Sequence, residues 1–509
     1  MPNNSNRRRN RRRSISSSIN YYLIQMRPYL PFIITMVLAI IAIVCVIFAI
    51  ITFVNFSRSN GGKPSPTQLA STSSAATTLP TRPTQPTTKP QSQVDAEISE
   101  LISKADFIAA GYDYDGAIEF LKNSEYFGTS TLIGEKIVEY TRTKASLSRF
   151  PLSNNVTHIF FHSLIVDTSR AFDGDEDQDG YNLYMTTVSE FELILEEMYK
   201  NGYVLVSPYD VAYEYIDENG VAKFKKGDIY LPDGKKPFLM SQDDLNYYGY
   251  MIGTGSGKDK KPVFADTHGD GFAHKIVIGD DGYPTCEYMD ANGNITTGDY
   301  DLVPILERFI QEHPDFSYKG ARAILGVTGY EGVFGYRTKP GYNVQEGGVM
   351  SMEDWNAEVE QAKAVAECLK EHGWILASHS YGHPRYGDLT VQRLDEDSTK
   401  WEDTVQSIIG DTDVILFPHG SDIGNWRNYA ADNEKFQILY EDGYRYFFNV
   451  DSNQYWNQYG DNYFRGGRRN VDGYRMYHNP DKLADLFDVS KVFDPTRPIP
   501  VPSLGGSSM

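Results

Sequence analysis

Trp374-Ile375-Leu376-Ala377-Ser378-His379-Ser380-Tyr381-Gly382-His383 is the stretch on which the reading of this chain turns. An apolar run of strand length ends in two histidines four residues apart, a spacing that on a helical turn points both side chains the same way. Neutral imidazole nitrogens placed like that can share one metal ion. A second stretch, Phe238-Leu239-Met240-Ser241-Gln242-Asp243-Asp244, has the same form, an apolar run closing on a pair of carboxylates. Two histidines and one Asp around a cation with open positions make a hydrolytic site, and a spare Asp is the natural base for an activated water. Either stretch alone reads equally well as a polar loop or a helix cap. Both together, each after a strand, favour a site.

Outward from these stretches the chain alternates strand and helix. Ile159-Phe160-Phe161 is a first apolar run. Thr187 and Glu190 form a capping box ahead of the stripe Phe191, Ile194, Leu195 and Met198, which stops at Asn201-Gly202. Short strands follow at Tyr203–Val206 and 238–241. The stripes Leu302 to Phe309, Trp355 to Leu369, and Leu394 to Ile408 precede strands at 323–325, 374–377 and 414–417, and Phe436 and Leu439 precede Tyr446–Val450. Repeated βα units imply parallel strands with functional residues at their C-terminal ends.

The two stretches resemble the first two motifs of the polysaccharide deacetylase family (carbohydrate esterase family 4), over roughly residues 155 to 480 and in the family's order. A third match, Phe417-Pro418-His419-Gly420 after Val414-Ile415-Leu416, is similar to its groove motif. The resemblance implies an α/β fold, a distorted and incomplete (β/α) barrel, with a closed eight-fold barrel as the alternative. It also implies Asp243 as base, Asp244, His379 and His383 as metal ligands, and Phe417, Pro418, His419 and Gly420 as part of the substrate groove. Mixed N/O ligation suits zinc first, with cobalt, nickel and manganese as alternatives.

The match departs from the family in three places. No Leu-x-x-His closes the domain, so His478 and His162 are the candidates for a general acid. Leu416 stands where the groove arginine belongs, and Arg468 or Arg469 is the candidate substitute. Gln242 replaces a Phe before the Asp pair. Tyr247-Tyr248 follow that pair after Leu245-Asn246, and aromatic faces stack on sugar rings, which makes Tyr247 a candidate substrate contact.

Charge gives the chain an address. The first 94 residues hold no Asp or Glu and 11 Lys or Arg, leaving 37 of the 48 basic residues against all 68 acidic ones, a net charge of −31. So acidic a body excludes nucleic acid as a partner. Phe32 to Val54 is an uncharged run of 23 residues, about 34 Å as helix and long enough for a bilayer. Arg7 to Arg13 and Arg27 before it place the amino side in the cytoplasm. The expected order is a basic tail (1–31), a transmembrane helix (32–54), a disordered Ser/Thr/Pro-rich linker (55–93), a tetratricopeptide-like helical spacer (94–150), the catalytic domain (151–490) and a C-terminal tail (491–509). The cell membrane, single-pass with the catalytic part outside, is the expected location.

Two insertions stand out. Lys258 to Tyr300 carries turn signals at Asp281-Gly282 and Asn292-Gly293 and reads as a small hairpin layer. Asp175, Asp177 and Asp179 before Gly180 begin like a calcium loop, but Thr186 stands where the closing Glu belongs, so an acidic surface loop is expected. The function this composes is a membrane-anchored, metal-dependent deacetylase. Its partner would be an acetylated cell-wall or surface polysaccharide, with N- or O-linked acetyl groups. The alternative is a noncatalytic glycan-binding or wall-assembly protein on the same fold.

Overall fold

The computed structural model describes residues 89–153, 156–253, 269–425, 427–451 and 456–504. The basic tail, the apolar span 32–54 and nearly all of the linker lie outside the described residues, among which no helix is long and apolar enough to cross a membrane. All described residues belong to one compact unit, Thr88–Met509.

Three helices come first: α1 (Gln91–Ala110), α2 (Tyr114–Lys122) and α3 (Thr131–Ala145). They close on Ala105, Ala109, Ala117, Leu121 and Ile133, and Asp113 and Ser130 cap the second and third. The group is a brace packed on the domain that follows, because Tyr112 donates to the Asp315 carbonyl at 2.9 Å and Lys319 N–H to Gly111 at 2.7 Å.

Next come β1 (Thr157–Phe161), β2 (Tyr203–Leu205) and β3 (Lys236–Gln242), then an antiparallel meander of β4 (Ala273–Ile278), β5 (Pro284–Met289) and β6 (Ile295–Gly298). The meander turns at Asp281-Gly282 and Asn292-Gly293 as expected, and residues 254–268 of that insertion lie outside the described ones. After it run β7 (Ile324–Val327), β8 (Ile375–Ser378), β9 (Val414–Leu416), β10 (Tyr446–Val450) and β11 (Phe464–Asn470).

Seven of these strands form a ring in the order β7-β8-β9-β10-β11-β1-β3, all parallel, and β3 closes it on β7 through Ser241 opposite Ile324 and Gln242 opposite Leu325. The incomplete barrel expected from the sequence is thereby corrected: the ring is closed. The lower half of the same edge of β3, Lys236–Phe238, pairs instead with β2. That eighth parallel strand is a wedge in the seam at the N-terminal end, and the seam shuts only at the C-terminal end.

Strand alternation then stacks the interior in layers. Leu239, Ile324, Ala377, Leu416, Phe448 and Phe464 fill the barrel. One layer higher stand His158, Ser241, Gly326, His379 and Arg468. Gly326 is needed there, since a Cβ would meet Leu416 Cδ1 at 3.0 Å and His379 Cβ at 3.4 Å. Outside the ring, α4 (Val188–Lys200) starts on the Thr187–Glu190 capping box and buries Phe191, Ile194, Leu195 and Met198, as its stripe requires. Helices α5 (Leu302–Glu312), α6 (Met352–Glu371), α7 (Val391–Trp401), α8 (Glu434–Glu441) and α9 (Gly473–His478) complete the outer layer.

The boundary at 490 also needs correction. Arg497 is fully buried and grips Glu190, the capping-box carboxylate of α4, with Nε–Oε1 2.6 Å and Nη2–Oε2 2.7 Å. Residues 491–501 therefore complete the domain and are not a loose tail.

Candidate metal centre

Asp243 extends β3 by one residue, its N–H donating to the Phe161 carbonyl at 2.8 Å. Interior parity with Leu239 and Ser241 aims its side chain into the barrel mouth. Asp244 should face the opposite way. Its backbone instead enters the left-handed region (φ 58°), which swings its carboxylate to the same mouth. Tyr248 holds one oxygen of Asp244, Oη–Oδ1 2.6 Å, and Thr328 Oγ1 backs Tyr248 at 2.9 Å.

His379 continues β8, and its Nδ1–H donates to the Leu416 carbonyl at 2.8 Å. The donor role falls to the imidazole because a carbonyl only accepts, so Nε2 is left with its lone pair toward the mouth. The turn to His383 is not the helical turn expected from the spacing. It is a loop with Ser380 (φ 63°) and His383 (φ 54°) in the left-handed region, pinned by Asp397 of α7 through Tyr381 N–H (2.9 Å) and Gly382 N–H (3.0 Å). Non-glycine residues in that region cost about 1–3 kcal/mol each and persist where the surroundings impose them. Asp244, Ser380, His383 and His419 all lie in the mouth loops.

The four expected groups do converge. His379 Nε2 lies 3.8 Å from Asp243 Oδ2 and 4.0 Å from Asp244 Oδ2, and His383 Nε2 lies 3.6 Å from Asp244 Oδ2. Donor atoms of Asp244, His379 and His383 all fall within 4.8 Å of one another. Ligands about 2.0–2.1 Å from a tetrahedral ion stand roughly 3.3 Å apart, so a shift of about half an ångström per contact would seat one. The fixed tautomer, the Tyr248 bond to Asp244 and the mixed donor set of imidazole nitrogens and a carboxylate oxygen fit a divalent ion such as zinc.

Asp243 stands apart from this set. Arg468 of β11 holds it with two bonds, Nη1–Oδ1 2.5 Å and Nη2–Oδ2 3.0 Å, and donates a third to Ser241 Oγ at 3.1 Å. Burial pushes the Asp243 carboxyl up, but Arg468 and then His379 outweigh it and hold it below the usual carboxylate value. Asp244 is likewise pushed up by burial and brought down further by His383, His379 and His162. Burial lowers His379, against the pull of both carboxylates. One of the two suggested arginines thus fills the place that Leu416 leaves empty. The other, Arg469, pairs with Asp485 on the far side of the strand.

Of the two acid candidates, His162 is at the mouth. Its Nδ1 donates to the Tyr184 carbonyl at 3.1 Å, and its charge favours the ionised forms of Asp243, Asp244 and Asp472. His478 is not available: its Nε2 contacts the Val501 and Pro502 carbonyls at 3.0 Å, and its ring lies on Tyr474. Tyr247 is also corrected. It is fully buried, with its hydroxyl on Asp301 at 2.6 Å, and cannot meet a substrate; its neighbour Tyr248 faces the site. Gln242 shares Asp301 at 2.9 Å, outside the barrel wall. In the third motif, Phe417 and Pro418 are buried and Gly420 (φ 63°) turns the chain where a Cβ would strike Val450. Only His419 reaches the mouth, its ring 4.4 Å from that of His383 and its basicity pushed down to about 4 by burial, His383 and Arg385.

No family model matches the chain, and no curated protein matches it. Among solved structures it is similar to the Streptococcus pyogenes deacetylase PplD in complex with acetate, at 13% identity and a TM-score of 0.33, covering 66% of this chain and 99% of that one. A likeness that loose carries no argument about the site.

Proposed function

We propose that this protein is a metal-dependent carbohydrate deacetylase of the polysaccharide deacetylase type, hydrolysing N-acetyl or O-acetyl groups of a cell-wall or surface glycan. The observation that carries the reading is the convergence of Asp244, His379 and His383 around one point, with Asp243 beside them on Arg468. A divalent ion there, zinc in the first instance, would supply Lewis acidity to the acetyl carbonyl and lower the pKa of water.

The chain's own groups do the rest. Asp243, kept ionised by Arg468, takes the proton of the attacking water. Arg468 fixes both of its oxygens, so the carboxylate has one orientation. His162, tethered through Nδ1 to the Tyr184 carbonyl, hands a proton from Nε2 to the departing amine or sugar oxygen. What supports turnover over simple glycan binding is Arg468, which supplies the partner for the base that the third motif lacks. The span at 32–54 would anchor this unit to the membrane with the catalytic part outside, within reach of such a polymer.

Metal analysis of the purified protein, paired with acetate release from acetylated amino-sugar oligomers, tests the reading. Release that depends on metal and is lost in Asp243→Asn is the expected result. Unchanged release in the double variant Asp244→Ala, His379→Ala would exclude this centre.

A further inference from the structure

Below Asp243 the barrel holds a histidine that the chemistry above does not use. His158 of β1 stands opposite Leu239 of β3, on the inner face, and at 1% exposed it cannot meet a substrate. Its Nε2 lies 3.0 Å from Ser241 Oγ, and its ring packs edge-on to Phe448 with centroids 4.7 Å apart. Ser241 Oγ in turn stands 3.1 Å from Arg468 Nη1, the nitrogen that also holds Asp243 Oδ1 at 2.5 Å. A single file of side chains, His158, Ser241, Arg468 and Asp243, therefore runs from the barrel interior to the proposed base.

Hydrogen placement gives the file a direction. A guanidinium only donates, so Ser241 Oγ accepts from Arg468. Among the described residues Oγ has one other partner, His158 Nε2, and His158 Nδ1 has none. With the imidazole hydrogen on Nε2, both the serine hydrogen and the Nδ1 lone pair would be buried without a partner. With Nε2 accepting the serine hydrogen, only Nδ1–H is left over. Each orphaned buried polar group destabilises the fold, so the second arrangement prevails. Burial, and then the Arg468 charge, hold His158 well below the ordinary histidine value, which keeps the ring neutral and able to accept. Arg468 Nε also has no partner among the described residues. Apart from Asp243 itself, the guanidinium is fixed by Ser241 and by the Phe160 ring 4.5 Å away.

We infer that His158 is a positioning residue: by accepting the Ser241 hydrogen it turns a serine lone pair to Arg468, and so fixes the guanidinium that orients Asp243. The inference rests on the deacetylase reading for the role of Asp243 as base, and extends the machinery two side chains beyond Arg468. A histidine kept for packing alone would make the same contacts and would not be felt at Asp243.

Acetate release by the full-length protein with zinc tests this in His158→Leu, His158→Gln and Ser241→Ala. The Leu and Ala variants should lower kcat about ten- to a hundredfold at unchanged KM, the mark of an interaction felt only at the reacting atoms. Glutamine offers a carbonyl oxygen that accepts in place of Nε2, and should keep kcat within about threefold of the wild type. Zinc affinity should be the same in all three variants as in the wild type, which reports that they fold. Wild-type kcat in His158→Leu, or no rescue by His158→Gln, would overturn the inference and leave the deacetylase reading intact. A wild type that releases no acetate would sink that reading, and urea unfolding then decides the inference. Arg468→Leu, or Arg468→Lys where the leucine variant does not accumulate, should lower the folding equilibrium constant at least about fivefold less in the His158→Leu background than in the wild-type or His158→Gln background. Equal losses in all three backgrounds would overturn it.

Discussion

Consider the substitution Arg468→Leu against Arg469→Leu, two adjacent arginines on one strand. Arg468 has a fully buried side chain and donates twice to Asp243, whose own side chain is 5% exposed, and its guanidinium also lies 4.5 Å over the Phe160 ring. Removing it strands a buried carboxylate, a change that costs about 3–5 kcal/mol. Arg469 is itself buried but pairs with Asp485, whose side chain is 45% exposed, so water can resolvate the carboxylate that is left and the loss should be well below that of stranding a buried one. The two variants should therefore separate by several kcal/mol in urea unfolding at neutral pH. The sign of the pH dependence follows. In the wild type the Asp243 carboxyl is held low, so its contribution is present above the unfolded carboxylate range and fades as pH falls through the folded value. In Arg468→Leu burial is opposed only by the histidines, the carboxyl rises, and protonation relieves the penalty. The deficit should shrink on acidification, and the acidic limb of acetate release should move to higher pH. Equal costs for the two arginines, or a deficit indifferent to pH, would refute this account of the site.

Other expectations follow from single contacts. Tyr248→Phe removes the bond to Asp244 without opening a cavity and should weaken zinc binding about 10–100-fold, read by competition with a chelator. Arg497→Ala leaves Glu190 buried and unpaired at the start of α4 and should cost about 3–5 kcal/mol in unfolding experiments; a chain ended at residue 490 should fail to accumulate as folded protein. Gly326→Ala should disturb His379 through the close approach of Leu416, with reduced zinc affinity and a smaller loss of stability as the checks.

The candidate ligands were legible because their two segments each close a run of apolar residues, and a parallel strand buried on both faces reads as such a run. The same rule hid β11. Phe464-Arg465-Gly466-Gly467-Arg468-Arg469-Asn470 has no apolar periodicity, yet it is buried, with Arg465 on Asp422, Arg468 on Asp243 and Arg469 on Asp485. Its arginines are inside because carboxylates meet them there, and pairing across 225 residues leaves no local trace. Tyr247 was preferred to Tyr248 for a related reason. Alternation predicts facing only while the backbone stays extended, and Asp244 and Tyr247 (φ 48°) both leave it. The histidine pair met at one point by a loop and not by the helical turn, since two left-handed residues bring the rings within 5.0 Å of each other.

The closing of the ring has a consequence for how the protein is made. Strand β1 needs β11 as a neighbour, and β11 is synthesised long after it. Until it arrives, Asp243 has no guanidinium and Glu190 awaits Arg497. Such a pairing joins distant parts of the chain, and closing a loop of that length is slow. The candidate site is thus incomplete until the chain through Arg497 has been made.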